Sequence, residues 1–388
     1  MTFNFDEIID RTNTGCLKYD ARQSFFSKSD VIPMWVADMD FRSAPEIIDA
    51  LITRAHHGVF GYTYIPESFY QSIISWFHRR FDCQLERDWI VFSPGVVPAL
   101  NLSVLCFSHP GDGIIVQPPV YHPFMYAVSE NDRVVKPNRL LEKNGKYEID
   151  FDDLEKKASE ARMIILCNPH NPVGRVWTTD ELSKIAELSR RYNLIVVSDE
   201  IHCDLVYKPN KHIPFLKVAK GIEDKTVVCI SPSKTFNIAG LTSSAVIIPD
   251  RELRNNFSKR LSNLDICANI FGLTAFEAAY NFGEEWLESL LVYLEKNIDF
   301  VISYMGKHLP EIKVIKPEAT YLLWLDFRNL RLSHSELMKM IVQQANVGLS
   351  NGKIFGEGGD GFMRMNIGCP QSVIKIALEN IRGILHKN

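Results

Sequence analysis

Ser231-Pro232-Ser233-Lys234-Thr235-Phe236-Asn237 follows directly on the apolar run Val227-Val228-Cys229-Ile230. A β-branched run that ends in Ser-x-Ser-Lys reads as a strand entering a tight polar loop. Loops at such strand ends are where α/β proteins place chemistry. A lysine there can form a Schiff base with an aldehyde, and nearby hydroxyls and amides can hold a phosphate on the same ligand. Taken alone, the pattern is better read as a surface lysine in a serine-rich turn. Three further segments reverse that preference.

Working outward, strand-like runs occur at 89–92, 113–117, 163–167, 194–198, 226–230 and 245–248. Helical stretches separate them, among them 97–107 and 180–192. The second has a capping-box start, Thr178-x-x-Glu181, and an apolar face of Leu182, Ile185 and Ala186. Continuous apolar strands alternating with helices predict an α/β fold with a mostly parallel sheet covered on both faces. After about Tyr280 the texture changes. A long helix over 284–308, an alternating strand at 321–325, a helix over 333–345, a glycine-rich loop, a strand at 362–366 and a helix over 371–386 read as a smaller α+β unit. The expected division is 44–283 for the large domain and 1–43 plus 284–388 for the small one, because the N-terminal segment is too short to fold alone.

Composition narrows the class. Hydrophobic residues make up 46% of the 388 and charged residues 23%, enough apolar side chain for a large core. A formal charge of −4 is too near neutral to suggest a nucleic-acid or anionic-membrane partner. No apolar run approaches a membrane span, and Met1–Glu7 lacks a signal-peptide pattern, so a cytoplasmic protein is expected. The eight cysteines are scattered, without Cys-x-x-Cys, which argues against a zinc site or a disulfide framework. Asp38 and Asp40 lack a third ligand, and no metal is expected.

The other segments supply parts of one site. In Ser93-Pro94-Gly95-Val96-Val97-Pro98 a strand gives way to a helix N-terminus, whose free amides suit a phosphate. Asn168-Pro169-His170-Asn171-Pro172 follows a buried strand and reads either as a plain turn or as a source of amide donors. In Ser198-Asp199-Glu200-Ile201-His202 an apolar strand ends in an acid, either a solvated strand end or a partner that keeps a pyridine nitrogen protonated. Asn171, Asp199 and Lys234 stand in that order, each at the end of a predicted strand.

With these residues together, and with Trp35-Val36-Ala37-Asp38-Met39-Asp40-Phe41 and Phe362-Met363-Arg364-Met365-Asn366-Ile367-Gly368-Cys369-Pro370, the chain resembles the aspartate-aminotransferase (fold type I) superfamily of pyridoxal-phosphate (PLP) enzymes. Within it, the chain is most similar to the MalY/PatB type of cystathionine β-lyases, or cysteine-S-conjugate C–S lyases. The resemblance spans nearly the whole sequence and implies a seven-stranded sheet in the large domain. It implies Lys234 as the residue that binds PLP, Asp199 at the pyridine nitrogen, Asn171 at the ring oxygen and Tyr121 stacked on the ring. Gly95, Val96, Val97, Ser231 and Ser233 would cradle the phosphate. His202 would stand beside the ring, where many aminotransferases have a tyrosine. Tyr62 would reach the phosphate of a neighbouring subunit in a homodimer. Arg364 would bind the substrate carboxylate, with Ala37, Asn171 and Tyr64 as further substrate-side residues. Tyr64 and His122 are as readily bystanders.

The activity implied is β-elimination from cystathionine, cysteine or a related S-conjugate to a thiol, pyruvate and ammonia. Lys234 would act as base, and Tyr121 is a candidate donor to the leaving sulfur. Thr242 stands where aminotransferases of the superfamily usually carry an arginine against the phosphate, which favours lyase over transaminase. The alternatives are an aminotransferase or a PLP protein that acts mainly as a regulatory interaction partner. Gly356-Glu357-Gly358-Gly359-Asp360-Gly361 fits Gly-x-Gly-x-x-Gly, but it precedes a strand and opens no helix. It is better read as a mobile loop leading to Arg364.

Overall fold

The computed structural model describes residues 3–386. In chain order the strands are β1 (Ile32–Met34), β2 (Ile90–Ser93), β3 (Gly113–Val116), β4 (Val134–Pro137), β5 (Leu141–Lys143), β6 (Lys146–Glu148), β7 (Met163–Cys167), β8 (Ile195–Asp199), β9 (Thr226–Ile230), β10 (Ser244–Ile247), β11 (Lys313–Ile315), β12 (Leu322–Asp326), β13 (Val347–Asn351) and β14 (Phe362–Asn366). The central sheet has seven strands in the order β2-β10-β9-β8-β7-β3-β4. Only β10 runs against its neighbours; the remaining pairs are parallel.

The apolar runs explain the layers. Side chains alternate across a strand, so β7 sends Ile164 and Leu166 to one core and Met163, Ile165 and Cys167 to the other. Strands β8 and β9 divide in the same way, which makes all three buried along their whole length. The helix Val96–Phe107 packs against one face and is itself apolar nearly all round. The helix Thr179–Tyr192 has the expected capping box. Thr178 Oγ1 accepts from the Glu181 amide at 3.2 Å, and the Thr178 amide donates to Glu181 Oε2 at 2.8 Å.

The second sheet has the order β1-β13-β14-β12-β11. Strand β1 comes from the N-terminal segment and pairs in parallel with β13, while the other pairs are antiparallel. The helices Glu284–His308 and Gln371–Leu385 pack on each other beside this sheet. No helix among the described residues is long and apolar enough to cross a membrane.

Several elements depart from the sequence expectation. Strands β1, β4 and β11 lie at sheet edges, and β1 and β4 each contain a proline (Pro33, Pro137), which an edge tolerates because one side needs no N–H donor. Strand β13 carries Gly348 and polar Ser350 and is buried between two partners, so burial rather than its own composition makes it a strand. The helix expected over 333–345 is α-helical only from His334 to Met338 and continues as a π-helix over Lys339–Gln344.

Candidate active site

The site stands at the carboxyl ends of β7, β8 and β9. Asp199 is the last residue of β8, and register pairs it with Cys167 on β7 and Cys229 on β9. Asn171 lies in the loop after β7. Lys234 lies in the turn after β9, closed by Phe236 N–H to the Pro232 carbonyl at 2.9 Å and Ile238 N–H to the Ser233 carbonyl at 3.1 Å. All three face one cavity of about 310 Å³, also lined by Ala37, Gly95, Val96, Val97, Tyr121, His202, Ser231 and Ser233. That volume is at the lower edge of the range of about 300–1,000 Å³ for small-molecule pockets. A larger cleft of about 1,070 Å³ lies between Arg79–Asp82, Val206–Ile213 and Glu288–Glu295, and contains none of the sequence-predicted residues.

One end of the cavity suits a phosphate. The helix Val96–Phe107 begins there with no side-chain cap, and Pro98 has no N–H, so Val96 and Val97 present the free amides. Ser231 Oγ donates to the Ser243 carbonyl at 2.8 Å and accepts from the Ser233 amide at 3.1 Å. Ser243 Oγ is buried with no partner, and Thr242 beside it also lines the cavity. Sequence reasoning did not name Ser243 as a site residue. Only the return of β10 along β9 and β2 brings it beside Ser231 and the Gly95 turn, and no local pattern announces that pairing.

The other end suits a protonated aromatic ring and an amino acid. Asp199 Oδ1 accepts from the Ile201 amide at 3.0 Å, and the carboxylate makes no salt bridge among the described residues. Burial pushes its pKa up to about 7, aided by Glu200 and opposed by the Ile201 hydrogen bond and by Lys234. A buried anion without a counter-ion calls for a cationic ligand atom beside it. His202 is driven down to about 3, first by burial and then by Lys234 and Arg364, so its imidazole is neutral. Its Nδ1 is buried without a partner. Burial, reinforced by the nearby Arg364 charge, lowers Lys234 to about 8.

Arg364 lies on β14 and is buried. It donates to Asn171 Oδ1 at 3.0 Å, the Trp35 carbonyl at 2.9 Å and Ser350 Oγ at 3.2 Å, while its Nε is buried and unpartnered. A guanidinium only donates, so the Asn171 amide turns its oxygen to Arg364 and its NH₂ the other way. Phe355 lies under the guanidinium at 5.0 Å. The glycine-rich loop beyond Phe355 is not free-hanging. The Phe355 carbonyl accepts from the Val120 amide at 2.9 Å, and a Cβ on Gly352 would stand 2.2 Å from the Gly359 and Phe362 oxygens.

The segment Trp35–Met39 explains why the two outlying motifs occur together. Each of its carbonyls is bonded by a side chain. Ser350 and Arg364 donate to Trp35, Asn366 to Val36 and Asp38, Lys234 and Tyr321 to Ala37, and Asn237 and Arg11 to Met39. A segment outside both sheets needs such substitutes. Tyr62 and Tyr64, by contrast, are 101% and 83% exposed, and the chain does not bring them to its own cavity. His122 lies beside it, its ring 5.3 Å from that of Tyr121, with Nδ1 buried and unpartnered.

Residues 29–381 match the family described as "Aminotransferase class I and II". The chain belongs to that family. Over 385 residues it is 44% identical to cystathionine beta-lyase PatB of Bacillus subtilis, covering 98% of this chain and all of that protein. Among solved structures, cystalysin from Treponema denticola, which contains a pyridoxal 5'-phosphate cofactor, is 37% identical with a TM-score of 0.96 over 99% of both chains. The PLP-bound C–S lyase from Staphylococcus hominis is 32% identical with a TM-score of 0.93, over 100% of this chain and 99% of that one. The fold-type-I architecture expected from sequence is therefore the observed one for this class I and II member.

Proposed function

We propose that this chain uses pyridoxal 5'-phosphate to eliminate a sulfur leaving group from Cβ of an L-amino acid. L-Cystathionine, L-cysteine or a related S-conjugate, plus water, would give a thiol, pyruvate and ammonia. The observation that carries this is the convergence of Lys234, Asp199 and Asn171 on one cavity, with Arg364 hydrogen-bonded to Asn171 at 3.0 Å, in a chain so similar to PatB.

The cavity fits the cofactor in three respects. Val96 N–H, Val97 N–H, Ser233 and the unpartnered Ser243 Oγ suit a phosphate. Asp199 lacks a cation. Asn171 turns its amide nitrogen away from Arg364, free to donate to a ring oxygen. When bound, PLP supplies a sink for the electron pair left at Cα.

This chain's residues do the rest. Lys234 would hold the cofactor, and its Nζ is the amine that would take the Cα proton. A lowered pKa keeps a useful fraction of that amine neutral near pH 7. Arg364, with a donor unused at Nε, grips the substrate carboxylate and fixes the orientation of the Cα–H bond. Asp199 would be the anionic partner of the cofactor's ring nitrogen. Tyr121, its proton retained because burial raises its pKa, donates to the departing thiolate. His202, neutral, lines the cavity and would not compete for the cofactor's positive charge.

We take 44–283 as the cofactor-binding domain and 1–43 with 284–388 as the small domain, which contributes Ala37 and Arg364. We also take the chain to act as a homodimer. The exposed run Val59, Phe60, Tyr62 and Tyr64 would meet a second copy, with Tyr62 at its neighbour's phosphate and Tyr64 on the substrate side.

The test is pyruvate release from cystathionine, followed with and without an added keto acid. Wild type should release pyruvate without the acceptor, and Lys234→Ala should release none. Turnover that requires the acceptor would assign an aminotransferase. Wild-type turnover by Lys234→Ala would remove Lys234 from the reaction.

A further inference from the structure

The Ala37 carbonyl is an acceptor shared by two donors. Lys234 Nζ donates to it at 2.8 Å and the Tyr321 hydroxyl at 2.9 Å. A carbonyl oxygen has two lone pairs, so these donors saturate it. Tyr321 immediately precedes β12 and is fully buried, and its own carbonyl accepts from the Ile367 amide at 2.9 Å. The carbonyls on either side of Ala37, those of Val36 and Asp38, are both held by Asn366. The oxygen facing Lys234 is thus fixed from the small sheet, by a hydroxyl that has no other partner among the described residues.

We propose that Tyr321 is a positioning residue for Lys234: its hydroxyl holds the Ala37 carbonyl as the docking point for the free lysine amine and shares that oxygen, so that the amine is not trapped there as an ammonium. The inference rests on Lys234 being the reacting amine, as proposed above. An amine that gives one N–H to Ala37 has its lone pair directed away from that carbonyl. Were Ala37 oxygen free to bind the lysine alone, it would favour the charged form, which cannot take a proton. Burial raises the pKa of Tyr321, so the hydroxyl remains a donor across the working range.

The other groups that face Lys234 come from several elements. Burial and Arg364 on β14 oppose its charged form, and Asp38 in the Trp35–Met39 strap and Asp199 on β8 favour it. His202 after β8 is neutral, and Tyr121 stays protonated across the cavity. None of them touches the Ala37 oxygen, so removing the Tyr321 hydroxyl changes one contact among fixed charges.

The experiment is competitive labelling of the full-length chain after removal of its cofactor. Acetic anhydride would acylate lysines between pH 6 and 10, and mass spectrometry of the Lys234 peptide would give the midpoint. Wild type should titrate near pH 8. Tyr321→Phe should raise the midpoint by roughly half a unit, or about threefold less labelling below it, because a competing donor is gone. A merely structural tyrosine would change the melting temperature and leave this midpoint alone. If Tyr321→Phe does not fold, 3-fluorotyrosine at position 321, a stronger donor, should move the midpoint down. An unmoved midpoint in the folded Phe variant, or in the fluorotyrosine protein where that is used, overturns the proposal. The lysine's part in the reaction is judged separately, by pyruvate release from Lys234→Ala, so the two failures are distinguishable.

Discussion

Asp199→Asn should make the cofactor-free protein more stable above pH 7. In the folded chain Asp199 binds its proton below about pH 7, against an ordinary value of 3.8. Between those two values the native state therefore holds more protons than the unfolded state, and stability falls as pH rises through the window. The difference corresponds to a ceiling of about 4 kcal/mol, fully expressed above pH 7. The physical source is a carboxylate at the end of β8, flanked in register by Cys167 and Cys229, with one hydrogen bond, from Ile201, and no salt bridge among the described residues. Asparagine keeps an oxygen for the Ile201 amide and removes the charge. Urea unfolding of both cofactor-free proteins from pH 5 to 9 is the assay. Wild type should weaken towards pH 7, while the variant should show a flatter profile and gain at least about 1 kcal/mol at pH 8. With PLP added the order should reverse, because only the aspartate gains a cationic partner. A variant that is no more stable than wild type at pH 8 without cofactor would show that the carboxylate is not strained by burial, and the argument for a missing cation would go with it.

Ser243→Ala deletes a buried hydroxyl that has no partner among the described residues. It should leave cofactor-free stability unchanged and weaken PLP binding roughly tenfold, measured by fluorescence titration. Arg364→Lys keeps the charge but loses the planar fork that now reaches Asn171, Trp35 and Ser350, so kcat/KM for cystathionine should fall roughly a hundredfold, with most of the change in KM. Gly352→Ala places a Cβ 2.2 Å from two backbone oxygens and should lower stability by roughly 3 kcal/mol in thermal or urea unfolding.

The parts of the site legible in sequence are those fixed by local pattern. Strands β7, β8 and β9 are short apolar runs buried on both faces, and such runs can be read without their neighbours. Their ends are equally plain, since each apolar run gives way within four residues to polar side chains, which for Asp199 and Asn171 stay buried at the site. Asn171, Asp199 and Lys234 stand at those three ends. The parts that were not legible depend on partners far along the chain. Strand β1 exists because β13 lies beside it, more than three hundred residues later. Arg364 and the Trp35 carbonyl are separated by 329 positions, and Lys234 and Ala37 by 197. Sequence motifs marked both ends of these contacts without saying that they touch. The strap Trp35–Met39 supplies the reason. It has no strand to satisfy its carbonyls, so it takes a donor from Tyr321, from Ser350, Arg364 and Asn366 of the small sheet, and from Lys234 and Asn237 after β9. The residue that would bind the substrate carboxylate and the residue that would take its Cα proton are consequently fixed to the same five-residue segment. A change that displaces the strap, such as loss of the Asn366 side chain, must therefore move both groups together, whereas loss of Tyr321 oxygen moves only the second.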